Sequence, residues 1–351
     1  MEREEYKKAG VDIDKLDQVR AFGREMSRAT FQLGVEEIKG GVFGSRLKTV
    51  FEKLKIREPI VFGETDGIGN KEELCARFGF HKVAGLDIVT CNVSDILRRG
   101  GIPLFFLDGI SYTDLDIEVT KEILLGISQA CKESQMALIG GETAQKPNFL
   151  PSGRYHLYGA AVGVFDEERQ LCPEKVEEGD VILGIESSGL HTNGYSLATK
   201  IIEDNGSDWD LKLKFLGKNL AEALCEPEEN YTKAFLDLFS RNLDLHQAEH
   251  ITGSGLTGRL EGIGGVDLTV KIDRKSWEPL PIFKLLQRWG EIDDEQMFAT
   301  FNMGVGMVIA LPKKEVAEAR AVLKAHGHDS FLIGKVAKGR GDKVLYKVGK
   351  E

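Results

Sequence analysis

The segment Gly63-Glu64-Thr65-Asp66-Gly67-Ile68-Gly69-Asn70-Lys71 sets an acid, a hydroxyl and a lysine in a glycine-rich turn after the strand-like run Pro59-Ile60-Val61-Phe62. Gly67 and Gly69 let backbone N–H groups approach an anion, Lys71 can meet a phosphate, and Asp66 can hold a hard cation such as Mg²⁺. On this segment alone a solvated turn explains the same residues equally well. Further on, Gly85 to Leu97 reads as a helix with Asp87, Cys91 and Asp95 on one stripe beside Ile88, Ile96 and Leu97. Spacing by itself favours an amphipathic helix with its acids in water over a metal-facing edge.

Leu138-Ile139-Gly140-Gly141-Glu142-Thr143-Ala144 reads as a buried strand ending in a Gly-Gly turn that carries an acid and a hydroxyl. Residues past a strand's C-terminal end are where α/β folds hold ligands, though a plain tight turn fits too. Ser187 to Ser196 is dense in hydrogen-bonding groups, His191 and Asn193 among them, suited to phosphate, ribose or base. Three other patterns are decoys. Gly253-Ser254-Gly255-Leu256-Thr257-Gly258 fits a dinucleotide fingerprint, but Gln247-Ala248-Glu249-His250 does not read as a buried strand and Gly262, Gly264 and Gly265 would break the following helix. His246 and His250 have zinc-ligand spacing, yet Gln247 stands where a zinc protease needs its general-base Glu. The sequence contains neither a Gly-x-x-x-x-Gly-Lys-Ser/Thr loop nor a Gly-x-Ser-x-Gly elbow.

Positioning these groups takes more than one domain. At 351 residues two α/β-type domains are expected. Val162 to Val181 reads as strand, exposed connection, strand, which divides the chain into residues 1–170 and 171–351. Asp116 can cap a helix whose apolar face is Val119, Ile123, Ile127 and Ala130, and Ala137-Leu138-Ile139 then reads as a strand. Met303–Leu311, a helical stripe from Val316 to Leu323 and Phe331–Ile333 repeat the alternation, so the fold class is α/β or α+β. A net charge of −10 without a basic run argues against nucleic acid as a partner. Five widely spaced cysteines suggest reduced thiols; the charged N-terminus and the lack of a long apolar run predict a cytoplasmic protein without a membrane span.

Taken in order, these motifs resemble the AIR synthetase family of ATP-dependent cyclo-ligases. The resemblance runs nearly end to end. It includes Tyr6 to Asp14, Gly40-Gly41-Val42-Phe43-Gly44, Thr65 to Gly69, Pro103 to Asp108, Gly140 to Ala144, Ser187 to Gly189 with His191 and Asn193 to Leu197, and Phe301-Asn302 with Gly304 to Met307. It implies an N-terminal domain (1–170) for ATP binding and dimerisation, whose sheet pairs with that of a second copy in a homodimeric barrel, and a C-terminal α/β domain (171–351). The implied reaction is ATP-dependent ring closure on a phosphoribosyl purine intermediate. Asp66, Asp95 and Glu142 are the acids it sets toward Mg²⁺ and ATP, with Asp66, Asp95 and His191 catalytic. Gly40, Gly41, Gly44, Gly67, Gly69 and Lys71 are implied phosphate neighbours, and Gly140, Gly141, Thr143 and Asn193 part of the nucleotide and substrate cleft.

The chain departs from the family pattern at Asn70, Ser94, Gln145 to Asn148 and Gly253 to Leu256. These departures leave room for another ATP-dependent enzyme of the superfamily, or for a non-catalytic nucleotide-binding homologue.

Overall fold

The computed structural model describes residues 2–339 and 343–346. Its elements begin with α1 (Glu2–Lys8), α2 (Ile13–Arg28), β1 (Val35–Ile38), β2 (Val42–Ser45), α3 (Leu47–Leu54), β3 (Pro59–Asp66), α4 (Lys71–Phe78) and α5 (His81–Leu97). They continue with β4 (Ile102–Tyr112), α6 (Ile117–Glu133), β5 (Ala137–Gln145), β6 (Tyr155–Asp166), β7 (Val181–Glu186), α7 (Tyr195–Asp204), β8 (Lys212–Leu213), β9 (Lys218–Asn219) and α8 (Leu220–Leu224). The rest are α9 (Thr232–Ser240), β10 (Gln247–His250), α10 (Gly255–Leu260), β11 (Leu268–Ile272), α11 (Pro281–Gly290), α12 (Asp294–Thr300), β12 (Val305–Leu311), α13 (Val316–Ala325), β13 (Ser330–Lys338) and β14 (Val344–Tyr346).

Two compact units result: residues up to Ile96 with Gly101–Glu168, and Leu97–Gly100 with the chain from Arg169 onward. Both mix helices with a sheet, so the fold class is α/β. Among the described residues no helix is long and apolar enough to cross a membrane. All five cysteines are free.

In the first unit the sheet order is β3-β6-β4-β5, with β4 and β5 parallel and the other pairs antiparallel. Asp116 starts α6 as expected, its carboxylate accepting from Glu118 N–H and Val119 N–H at 2.9 and 3.1 Å. Helix α5 is set against α6 by backbone contact. A Cβ on Gly85 would lie 2.0 Å from the Ile123 carbonyl oxygen, and one on Gly126 would lie 2.2 Å from that of Lys82. Ile96 and Asn92 of α5 then reach Gly163 and Gly159 of β6, and Phe106 of β4 fills the space beside them. On the other face Val50, Leu104 and Val164 form a small core. Elsewhere that face is open: Val61, Leu107 and Tyr158 share it by register and are 45%, 38% and 42% exposed.

The second unit's sheet has the order β10-β12-β7-β13-β11-β14 and is antiparallel except for β11 with β14. Three sequence expectations need correction. Gly63 to Asp66 lie inside β3, and Gly140 to Thr143 lie inside β5, so neither stretch is a turn. Glycine cued a turn in both; within the strands Gly141 has a group close above it, Asp108 Oδ1 at 2.1 Å from a Cβ, whereas Gly63 and Gly140 have only ordinary contacts at 3.5 and 3.9 Å. Gln247–His250 is a buried strand after all. The dinucleotide reading of the following glycines fails for another reason: β10 runs antiparallel to β12, where that motif needs a parallel crossover. Gly255 is small because a Cβ there would sit 2.5 Å from the Ala299 carbonyl carbon.

Candidate functional site

Asp66, Gly159, Asp108 and Gly141 form one register row across β3, β6, β4 and β5. Asp66 ends β3, exposed, and its carboxylate accepts from Gly67 N–H at 2.8 Å. Asn92, one turn before Asp95 on α5, donates to the Asp66 carbonyl at 3.3 Å. Asp95 is half-buried on that helix, while Asp87 on the same stripe is wholly buried. The helix reading therefore holds but its acids do not all lie in water. Lys71 opens α4 and is also wholly buried, its Nζ 2.6 Å from Asp87 Oδ2. That pair anchors the Gly67–Asn70 turn to α5.

At the other edge of the sheet a cavity of about 330 Å³ lies among α2, the β1–β2 hairpin and β5. Gly40 and Gly41 turn the hairpin at φ +86° and +74°, a conformation glycine adopts without strain. Gly44 lies in β2 opposite Glu36. Arg24 reaches across, donating to the Gly41 carbonyl at 2.8 Å. Gly140, Gly141, Glu142 and Thr143 line the opposite wall with Asp108. A side chain on Gly141 would collide with Asp108 Oδ1 at 2.1 Å, so the glycine makes room for that carboxylate. Burial pushes the Asp108 carboxyl up to about 7 against its own backbone hydrogen bond, and the nearby Glu142 charge pushes the same way.

The structure thus gathers Gly41 and Gly140–Thr143 around one cavity, and Asp66, Lys71, Gly67, Gly69 and Asp95 around the β3–α4 turn and α5. It does not bring Asp66 and Glu142 together. Their strands are the two edges of a four-stranded sheet, about 14 Å apart at the usual strand spacing, too far for one ion within one chain. Among the described residues, Asp66, Asp95 and Glu142 form no three-ligand cluster.

His191 and Asn193 stand in the second unit, in the loop after β7. His191 takes φ +61°, unusual for a side chain of its size, and the Tyr195 hydroxyl donates to its carbonyl at 2.9 Å. Gly194 at φ +83° starts α7, where a Cβ would strike the Phe301 ring at 2.6 Å. Asn302 Nδ2 donates to the Gly189 carbonyl at 2.9 Å, fastening the loop to the segment before β12. Asn193 Nδ2 meets Thr192 Oγ1 at 3.2 Å.

Sequence reading missed Arg24 and Asp108 as cavity residues. An acid closing the apolar run Pro103 to Leu107 was a usable signal for Asp108; nothing in the spacing of Arg24 marks it. Some departures have structural roles. Gln145 Oε1 accepts from Asp12 N–H at 2.9 Å and Lys146 lies over the Phe149 ring, 5.0 Å from its centroid.

Family models for AIR synthase related proteins match residues 59–165 with the N-terminal domain and 177–347 with the C-terminal domain. The phosphoribosylformylglycinamidine cyclo-ligase of Thermodesulfovibrio yellowstonii is 39% identical over 344 residues, covering 97% of this chain and 99% of that protein. That of Methylobacillus flagellatus is 36% identical over 343 residues, covering 96% of each. Among solved structures, thiamine-monophosphate kinase from Stenotrophomonas maltophilia superposes with a TM-score of 0.65 at 17% identity over 94% of both chains. Hydrogenase maturation protein HypE in complex with ATP gives 0.61 at 15% identity over 83% of this chain and 82% of its own. These two likenesses establish a shared fold.

Proposed function

The chain belongs to the AIR synthetase family of phosphoribosylformylglycinamidine cyclo-ligases, and from that premise we propose that it closes formylglycinamidine ribonucleotide to aminoimidazole ribonucleotide, consuming ATP and releasing ADP and phosphate in de novo purine biosynthesis. One observation carries the reading: relatives of that name match it almost from end to end. A likeness in fold to a protein solved with ATP is consistent with nucleotide use.

The chemistry asks for activation and alignment. An amide-type oxygen leaves poorly, so it is phosphorylated by ATP and departs as phosphate when the ring nitrogen attacks the activated carbon. Aligning nitrogen and carbon in one cleft can supply about 7–11 kcal/mol of the barrier. Mg²⁺, when bound, supplies charge neutralisation at the phosphates.

The residues of the first unit fit such a load. Carboxylates at Asp66, Asp95, Asp108 and Glu142 offer the oxygen ligands a hard cation takes, and Arg24 offers a guanidinium for phosphate. Gly41 and Gly141 line the cavity and leave room there for the Arg24 guanidinium and the Asp108 carboxylate. Lys71 then acts mainly through Asp87, holding the turn in place. His191 is the candidate for proton transfer to or from the ring nitrogen.

Because Asp66 and Glu142 lie on opposite sheet edges, we assign them separate duties within one chain and place the complete site at a homodimer interface. The open sheet face with Val61, Leu107 and Tyr158 is an apolar surface that a second sheet would cover, and closing the barrel would pair the edge strands β3 and β5. The deciding experiment incubates the purified chain with formylglycinamidine ribonucleotide and Mg-ATP and follows aminoimidazole formation against ADP release. Ring product with matching ADP supports the reading. A folded, ATP-binding preparation that yields no ring product refutes it.

A further inference from the structure

We propose that His191, Glu228 and His250 form a second metal site in the second unit, for a borderline divalent cation of the Zn²⁺ or Co²⁺ class. This goes beyond the cyclo-ligase reading and shares one residue with it: ligation takes His191 out of the proton-transfer role assigned above, while the ring-closing reading stands without that role. One ligand atom from each of the three residues lies within 4.8 Å of the other two, and all three residues are buried. They come from different parts of the chain: the loop after β7, the turn before α9 and the last residue of β10. His250 Nε2 stands 3.1 Å from Glu228 Oε1, and Thr192 Oγ1 donates to the other carboxylate oxygen at 3.3 Å. Ligands around Zn²⁺ at bonds of about 2.0–2.1 Å are spaced about 3.3 Å apart, so the triad closes by only an ångström or so on binding.

The surroundings are shaped for the imidazole. Gly306 of β12 faces His191, and a Cβ there would lie 2.4 Å from His191 Cε1 and 2.1 Å from the Tyr231 hydroxyl. The left-handed backbone of His191 is the second cost the fold carries to aim this ring. Sequence spacing pairs His246 with His250, but His246 turns away to Asp180, its Nδ1 2.7 Å from Oδ2. Two imidazoles and one carboxylate suit Zn²⁺ or Co²⁺ over Mg²⁺, which prefers oxygen ligands and keeps its waters. Ligation costs His191 its long hydrogen bond from Ser188 N–H, 3.3 Å to Nε2, at whichever ring nitrogen the ion binds. Because the triad is buried, the ion enters as the chain folds.

The test uses the full chain, stripped with a chelator, unfolded and refolded with Zn²⁺ or Co²⁺, then read for metal content and for Co²⁺ ligand-field bands. Wild type should retain stoichiometric metal, show visible bands without the near-ultraviolet charge transfer of thiolate ligation, and melt at a higher temperature with Zn²⁺ than without. Glu228→Gln and His250→Gln should weaken retention by more than the roughly 10–100-fold that losing an outer partner costs, and their melting should ignore Zn²⁺. Wild type that retains no metal overturns the proposal, as does equal retention in both variants. If either variant misfolds, the wild-type Co²⁺ spectrum decides alone: thiolate bands, or none, overturn it. Metal content is read without ATP turnover, so failure here leaves the cyclo-ligase reading standing, and the converse.

Discussion

Replacing Lys71 with Met separates an anchoring lysine from one that meets phosphate. Lys71 and Asp87 are both 0% exposed at the side chain and lie 2.6 Å apart. Lys71→Met keeps the aliphatic bulk and leaves Asp87 without its ammonium. Removing one partner of a buried pair costs about 3–5 kcal/mol, because the remaining charge is stranded. At a urea slope of about 2 kcal/mol per molar, a loss of about 4 kcal/mol lowers the midpoint by roughly 2 M. The double variant Lys71→Met/Asp87→Leu should recover much of this, since a well-packed apolar pair is often as stable as a buried ion pair. The assay has a built-in control. Trp209, Trp277 and Trp289, the chain's three tryptophans, all belong to the second unit, so circular dichroism follows both units while tryptophan fluorescence follows the second. The shift should appear in circular dichroism. A Lys71→Met midpoint within about 0.5 M of wild type, or a double variant no better than the single, refutes the anchoring role.

Three further outcomes follow from the site. With its carboxyl at about 7, Asp108 keeps a proton in the folded chain at pH values where the unfolded chain has lost it; stability therefore falls as pH rises from about 4 to 7, by at most about 4 kcal/mol. Asp108→Asn should flatten that slope, and parallel stability-against-pH curves for variant and wild type would count against it. Asp66→Asn and Asp95→Asn should each lower ring-closing turnover about a hundredfold, some 3 kcal/mol of transition-state stabilisation, and shift its Mg²⁺ dependence. Unchanged Mg²⁺ titrations in both would place the ion elsewhere. Leu107→Glu or Tyr158→Glu on the open sheet face should convert a dimer to monomer in sedimentation; a variant that stays dimeric places the interface on another surface.

Much of the scaffold was legible because local chemistry fixed it. The Asp116 cap, the α13 stripe ending before Gly327 and the strands on either side of Asp166–Lys175 are set by neighbours in sequence. Strand ends were not, since Gly63 and Gly140 carry the same local cue as turn glycines while their roles depend on the adjacent strand. Lys71 shows the same limit. A lysine after a glycine-rich turn suggests phosphate, and only the fold shows Asp87, sixteen positions on, closing on its ammonium. Register placed Asp66 and Asp108 in one row, and topology gathered His191, Glu228 and His250; neither relation has a spacing that one sequence can display.

The crossing of α5 on α6 also bears on how such a protein changes over evolutionary time. Gly85 and Gly126 set backbone against backbone, so the position of α5 is fixed by main-chain atoms that do not vary with side-chain identity. The glycines themselves have no freedom to vary: a single methyl at Gly85 meets the Ile123 carbonyl at 2.0 Å and must displace the whole helix. On a frame of this kind the two glycines at the helix crossing are the positions least open to change, though neither carries a functional group.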